Sequence, residues 1–243
     1  MTQLSSDERL PLYQRLRDQL AQQIANNRWR AGEAIPTEAL LASEYGLSVG
    51  TVRKAIDMLV GERILERQQG RGTFIRRPQF HASLFRFFRF QTPDGERQIP
   101  QSQIFSVQSL EAPADVARAL GLAPATAVIR LQRLRLLDDQ PVLAEDIWLP
   151  RERFKALLSV DLAEHGPLLY PIYEELCGQI VASADETLSA EAADEHHANL
   201  LGITPGSPVV VIERLARNHA GLALEWRRSH GRASHFRYSV EIR

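Results

Sequence analysis

Apolar positions recur at helical spacing along the start of the chain. From Pro11 onward they fall every fourth residue, at Leu12, Leu16, Leu20 and Ile24, which predicts an amphipathic helix running to about Asn27. The stretch "RAGEAIP" breaks the pattern with Gly32 and Pro36. Thr37 then stands as the natural N-cap of a short helix, "EALLASEYG", which Gly46 closes. Ser48 caps a third helix, "VGTVRKAIDMLVGE". On it Val52, Ala55, Ile56 and Leu59 share the apolar face, Gly50, Lys54 and Asp57 lie opposite, and Thr51 and Arg53 take the flanks. The period then shortens. "LERQQGRGTFI", from Leu65 to Ile75, predicts two short strands around a turn that carries Gln69, Gly70 and Arg71.

The remainder follows a different pattern, and it repeats. "LGLAPATAVIRLQRL" begins at Leu120 and "LGITPGSPVVVIERL" at Leu201, an offset of 81 residues with no gap over fifteen positions. Each is preceded by a predicted helix, at 113–120 and 190–201. Each is followed by a turn ("DDQP", "NHAG") and a strand bearing a glutamate, Glu145 or Glu225. A duplicated strand–helix–hairpin unit predicts an α+β domain with internal pseudo-symmetry, its two hairpins joined in one antiparallel sheet beside a crevice. Strand alternation puts Ile129, Leu131, Arg133 and Arg135 on one face of their strand, and Leu143, Glu145, Ile147 and Leu149 on one face of theirs. Taken singly, each charged residue reads as one half of an ion pair. Together, Arg133, Arg135, Glu145 and Glu225 read as a site for a small anion. Tyr170 and Tyr238 read as core or rim residues.

Composition narrows the function classes. The 243 residues hold no apolar run long enough to span a membrane, and the first residues lack the basic-then-apolar start of a secretory signal. A single cysteine, Cys177, permits no internal disulfide and fits a reducing cytoplasm. No CxxC or HExxH occurs. The adjacent His196 and His197 point about 100° apart on a helix and read as two solvated histidines, so neither a metal nor a cofactor is expected. The net charge of −1 conceals an asymmetry. Residues 1–78 carry 12 basic against 9 acidic side chains, whereas 79–243 carry 17 against 21. Five arginines between 63 and 77 face only Glu66, a local basic patch suited to a polyanion.

Two short helices joined by Gly46-Leu47-Ser48, with a basic hairpin after the second, predict a winged helix-turn-helix over residues 1–77. The second helix would enter a major groove N-terminus first, presenting Ser48, Val49, Gly50, Thr51, Arg53 and Lys54. Gly50 lowers helix stability by about 1 kcal/mol against alanine, which makes sense where backbone must come close to a partner. The hairpin is no phosphate cradle, since GxxxxGK[ST] is absent and no helix begins after the turn. It reads as the wing, with Gly70 permitting the turn and Arg71 aimed at phosphates or the minor groove.

These motifs carry a resemblance. From Pro11 to Ile75 the punctuation PLY, G-x-x-x-P-T-E, TVR-x-A and Q-G-x-G-T-F resembles the DNA-binding domain of the GntR family of bacterial transcription regulators. The resemblance implies DNA contacts at Thr37, Ser48, Thr51, Arg53, Gly70 and Arg71. Ala39 and Val49 depart from it, since the family usually has arginine at both. The operator should therefore differ from the family's commonest one, and a valine there suits a thymine methyl. From about Gln103 to Arg243 the chain resembles the effector-binding UTRA domain of the HutC subgroup, similar in fold to chorismate lyase. That implies effector contacts at Arg133, Arg135, Glu145 and Glu225, with Ser229 nearby. Leu168 and Gly231 depart, replacing a serine and an aromatic, so sugar phosphates, urocanate-like acids, phosphonates and other small anions all remain open as effectors.

The expected plan is a DNA-binding domain at 1–77, a linker at 78–84 and an effector-binding domain at 85–243. The implied function is a cytoplasmic, homodimeric repressor that binds a pseudo-palindromic operator in double-stranded DNA and responds to a small anionic metabolite. A lyase-like or hydrolase enzyme is the alternative; GxSxG is absent, but arginines beside a glutamate suit acid–base work. A non-specific nucleoid protein fits poorly with so small a net charge.

Overall fold

A row of apolar residues spaced four apart drifts around a helix by about 40° per step, so such a row cannot all face one core. In α1 (Leu12–Ala25), Leu16, Leu20 and Ile24 are buried, whereas Leu12, at the far end of the drift, is 48% exposed. The computed structural model describes residues 9–26, 28–76 and 99–236, which divide into two compact units. The linker expected at 78–84 and Tyr238 lie outside the described residues.

In the first unit, α1 packs with α2 (Glu38–Tyr45) and α3 (Val49–Gly61) around a core that includes Leu20, Trp29, Leu41, Tyr45, Val52, Ile56 and Leu59. Capping fixes where the helices begin. Thr37 Oγ1 accepts from the Leu40 N–H at 3.3 Å, and Ser48 Oγ accepts from the Thr51 N–H at 3.1 Å. Gly46 ends α2 at φ 66°, a left-handed conformation that glycine adopts without strain. Strands β1 (Leu65–Gln68) and β2 (Gly72–Ile75) pair antiparallel, and their Leu65 and Ile75 anchor the hairpin in the same core. Segment 32–35 hydrogen-bonds along β2, through Gly32 N to Ile75 O and Ile35 N to Thr73 O. The hairpin is thus braced on one side, and its tip projects.

The second unit is one six-stranded antiparallel sheet. Its strands are β3 (Gln101–Glu111), β4 (Ala127–Leu137), β5 (Gln140–Pro150), β6 (Ser183–Ala192), β7 (Pro208–Arg217) and β8 (Ala223–Arg232), in the spatial order β3-β4-β5-β8-β7-β6. That order is the duplication made visible: β3, α4 (Ala114–Leu120), β4 and β5 form one half, and β6, α7 (Glu195–Leu201), β7 and β8 form the other. The halves meet where β5 pairs with β8. α4 and α7 cover one face, with Val116, Leu120 and Trp148 in one cluster and Ala198, Leu201 and Val209 in another. The opposite face is covered by α5 (Arg151–Phe154) and α6 (Leu169–Cys177), which bring Phe154, Ile172 and Tyr173 onto Leu131, Ile147 and Leu149.

Two expectations need correction. The helix expected at 190–201 begins only at Glu195, because Ala190, Glu191 and Ala192 extend β6 by pairing with Val210, Val209 and Pro208. Long-range pairing overrides the helical preference of "SAEA", and Asp194 then starts α7 by accepting the His197 N–H at 2.7 Å. Nor are both histidines solvated. His196 is exposed, but His197 stacks on His230 with ring centroids 3.6 Å apart. His197 lies between Asp194 at 2.8 Å and Asp146 at 3.7 Å, while His230 contacts Glu191 at 3.1 Å. The Asp146 carboxylate is the main cause that raises His197, whereas burial first and then the charge of His197 push His230 down to about 4.

Between pH 6.5 and 4 the unfolded chain therefore binds a proton at His230 that the folded chain refuses. Stability rises with pH across that window and falls as it is acidified. Substituting His230→Gln should remove a slope of roughly 1 kcal/mol per pH unit, read from urea unfolding at pH 4.5, 5.5 and 6.5. An unchanged slope would mean that His230 is not held neutral.

Candidate functional site

Two places gather the chemistry. In the first unit, Ser48, Val49 and Gly50 form the exposed N-terminal edge of α3, with Thr51 half-buried behind them. Ser48 Oγ lies 2.9 Å from Thr51 Oγ1, so one hydroxyl orients the other. A methyl group at Gly50 would meet nothing closer than Ser48 Oγ at 3.9 Å. Nothing inside the protein demands glycine there. Arg53 is exposed and donates to Glu38 at 2.9 Å, which raises its pKa. Glu38 also accepts from Arg67, which pairs with Asp57 at 2.7 Å. The basic patch is therefore partly neutralised around Glu38. Lys54 sits with Nζ 3.9 Å from the Tyr13 ring centroid, tying α3 to α1. Thr37 is exposed at the start of α2. At the hairpin tip Gln69, Gly70 and Arg71 are all exposed, Gly70 holds φ 72°, and the Arg71 guanidinium rests 5.5 Å from the Phe74 ring centroid.

In the second unit, the sheet register assembles the predicted residues and adds to them. Arg133 on β4 lies opposite Glu145 on β5, which lies opposite Ser229 on β8. Glu145 Oε2 accepts from Arg133 Nε at 2.5 Å. Its Oε1 accepts from Ser229 Oγ at 3.0 Å and from Arg227 at 3.3 Å. Arg227 also donates to Glu225 at 2.8 Å, where Tyr173 at 2.7 Å and Tyr170 at 3.3 Å donate too. Arg214 continues the chain from Tyr170 to Glu186. These side chains are not rim groups of an open crevice: Arg133, Arg135, Glu145, Arg214, Glu225, Arg227 and Ser229 are each at most 6% exposed.

Charges buried this deeply cost several kcal/mol each unless paired. Burial opposes ionisation of Glu145, but Arg133, then Arg227 and Arg135, outweigh it and hold the carboxyl well below the usual range. Burial and then Glu225 push the Tyr173 hydroxyl far up, so it stays a neutral donor. Four arginines meet three glutamates in this network, which leaves one positive charge over. It resides on Arg135. That side chain is fully buried, and among the described residues only its Nη1 finds an acceptor, the Pro167 carbonyl at 2.5 Å; Nε and Nη2 have none. Burial, and then the charge of Arg133, push it down to about 9.

Sequence reasoning missed Arg227 and Arg214, although both left a signal. The offset of 81 that relates the repeats carries Arg133 onto Arg214, and strand alternation puts Arg227 between Glu225 and Ser229 on one face. Tyr170, expected to be core or rim, packs against the core of this face and also donates to Glu225. The two positions that depart from the family also lie here: Leu168 is the N-cap of α6 and offers no side-chain cap, and the buried Gly231 pairs with Leu143, which pairs with Arg135. Among the described residues no three His, Cys, Asp or Glu side chains gather as for a metal ion.

Comparison with known proteins places both units. The family described as bacterial regulatory proteins, gntR family, matches residues 12–75, and the UTRA domain matches residues 96–237. The transcriptional repressor NagR of Bacillus subtilis is 29% identical over 90% of each chain. An HTH-type transcriptional regulator of Mycobacterium tuberculosis is 30% identical, covering 96% of this chain and 86% of its own. The solved ligand-binding domain of a GntR-family regulator from Bordetella bronchiseptica is 31% identical with a TM-score of 0.54. It covers 63% of this chain and 95% of its own.

Removing Arg227 strands the buried Glu225 carboxylate and takes one of the donors from Glu145. Arg227→Met should destabilise the second unit by about 3–5 kcal/mol in urea unfolding, and adding Glu225→Gln should recover part of that loss. Full additivity of the two changes would mean that the pair is not coupled.

Proposed function

The chain belongs to the GntR family of bacterial transcription regulators and carries a UTRA domain, making it a DNA-binding repressor under metabolite control; from that premise we propose the finer mechanism. It acts in the cytoplasm as a homodimer on a pseudo-palindromic operator, and a small anion bound in the second unit relieves repression. Each protomer sets α3 in a major groove of one half-site. Ser48 and Thr51 supply hydroxyls to phosphates or base edges, Val49 meets a thymine methyl, and Gly50 lets backbone approach. Arg53 trades its exposed pair with Glu38 for DNA, which is easy because exposed ion pairs are worth about 1 kcal/mol or less. Arg71 carries the wing to phosphate or the minor groove, with Gln69 and Gly70 beside it, and Thr37 touches the backbone from α2. Lys54 adds positive field from its place on Tyr13.

The observation that carries the anionic effector is Arg135, a fully buried guanidinium with two donor nitrogens unpaired among the described residues. An effector that supplies acceptors there removes the largest unpaid electrostatic demand in the unit. Arg133 shares the anion. Glu145, Glu225 and Ser229 hold the arginines in place and complete the wall. An enzymatic reading gains nothing from this geometry, because a carboxylate held as far down as Glu145 is a weak base and both glutamates are already bonded to arginine. No helix of the described residues is long and apolar enough to cross a membrane.

Selecting bound fragments from sheared genomic DNA of the source organism tests the first half of this reading, with one enriched inverted repeat as the expected result. On that operator, Arg71→Ala should weaken binding to all sequences and lower the salt slope by about 1, whereas Thr51→Ala should also shift base preference. Gly50→Ala should do two opposite things: stabilise the fold by up to about 1 kcal/mol and weaken operator binding. Arg133→Ala should keep operator binding and lose effector response. An Arg133 variant that still responds would remove the anion site.

A further inference from the structure

The unmet demand of Arg135 is partly answered by the chain itself. The Pro167 carbonyl accepts from Arg135 Nη1 at 2.5 Å and from Arg133 Nη1 at 3.3 Å, so two guanidinium groups converge on one neutral oxygen. An anionic oxygen satisfies a donor and neutralises charge, whereas a neutral acceptor between two cations satisfies a donor without neutralising either charge. It also leaves Arg135 Nε and Nη2 unfilled.

The segment that delivers this carbonyl is lightly held. Gly166 sits at φ 88° and ψ −179°, a conformation confined to glycine, and no atom outside its neighbours lies within 4 Å of where its Cβ would be. Gly166 and Pro167 are both exposed, and Leu168 gives α6 no side-chain cap. Immediately beyond, α6 carries Tyr170 and Tyr173 to Glu225, through a long bond of 3.3 Å and a short one of 2.7 Å.

Resting on the reading that the effector is an anion, we propose that the Pro167 carbonyl is a built-in stand-in for the effector's anionic oxygen, and that binding evicts it. The anion takes Arg133 and Arg135 and fills the free Nε and Nη2. The Pro167 carbonyl turns to water, at little cost for an exposed residue. Residues 166–168 leave the sheet, and the start of α6 follows. Tyr170, whose bond to Glu225 at 3.3 Å is longer than that of Tyr173 at 2.7 Å, yields first, while Tyr173 keeps its hold. The effector thus reads out through a segment with two positions, one for each occupant of the seat.

The test uses the full chain and inorganic phosphate as the probe, with amide hydrogen exchange of residues 166–173 as the readout. Phosphate should raise exchange there. Arg135→Lys should weaken phosphate binding about tenfold and abolish the change. Gly166→Ala, which disfavours the closed backbone without a clash, should bind phosphate roughly three- to tenfold more tightly, because the competing state is less populated. If Arg135→Lys fails to fold, Gly166→Ala decides alone. Binding that depends on Arg135 with exchange unchanged or lowered, or a Gly166→Ala variant no tighter than the parent, would overturn the stand-in while leaving the anion site intact. No phosphate binding to the parent chain would overturn both.

Discussion

Among the described residues, the buried guanidinium left with the most unmet donors is that of Arg135. Arg135 has no exposed surface and, among the described residues, no carboxylate bonded to it; Glu145 attracts it but is bonded to Arg133, Arg227 and Ser229. A structure keeps such a group only if the surroundings compensate or if something else arrives to do so. Around Arg135 the chain has arranged a partial answer in the Pro167 carbonyl, and beyond it a chain of ion pairs that spends three carboxylates on three other arginines. The geometry of the whole face follows from that shortage of negative charge. Glutamates that would otherwise meet a ligand are committed to holding arginines, so what the face can still accept is an acceptor.

The duplication explains where so polar a network is built. Each half contributes one hairpin, and the seam between β5 and β8 is where Glu145 meets Ser229 and Arg227. Apolar residues flank it along the same strands, with Leu131, Ile147 and Leu149 packed against Phe154 and Tyr173. The seam is therefore electrostatic in the middle and hydrophobic along its length. Across the sheet, the reverse face repeats the theme on the next residues: Asp146 beside Glu145 takes Arg130, Gln132 and His197, and His230 beside Ser229 stacks on His197. Successive residues of one strand thus serve two different polar clusters, as strand alternation requires.

What was legible in the sequence was local. Caps at Thr37 and Ser48, the stop at Gly46 and the tight turn at Gly70 are decided within four residues, and each was readable because the side chain or backbone signal is self-contained. Strand parity made the shared face of Arg133 and Arg135 readable, and that of Glu145 with its apolar neighbours; that these are one face is shown by the pairing of Arg133 with Glu145. What was hidden depends on partners far along the chain. The start of α7 was misread because "SAEA" has helical preference and only pairing with β7 makes it strand. His197 looked solvated because His230 is 33 residues away and lies across two elements. Arg227 escaped because its importance lies in bridging Glu145 and Glu225, a relation that exists only once β5 and β8 are neighbours. The single residue type that marks a site says little about who holds it.

Why arginine does nearly all of this work also follows from physics. The chain has only two lysines, Lys54 and Lys155, and neither belongs to the buried network. An ammonium is strongly hydrated and readily loses its proton when buried, whereas a guanidinium stays charged and spreads five donors in a plane that can serve two carboxylates at once. Arg227 does so between Glu145 and Glu225; Arg67, in the open, does the same between Glu38 and Asp57. Burial then separates the two uses. The exposed pairs around Glu38 contribute little to stability and exchange partners readily, which is what a surface meeting phosphate needs. The buried pairs are costly to break because their alternative is an unpaired charge in a dry interior. One side chain thus supplies a loosely held surface in the first unit and a tightly coupled core in the second.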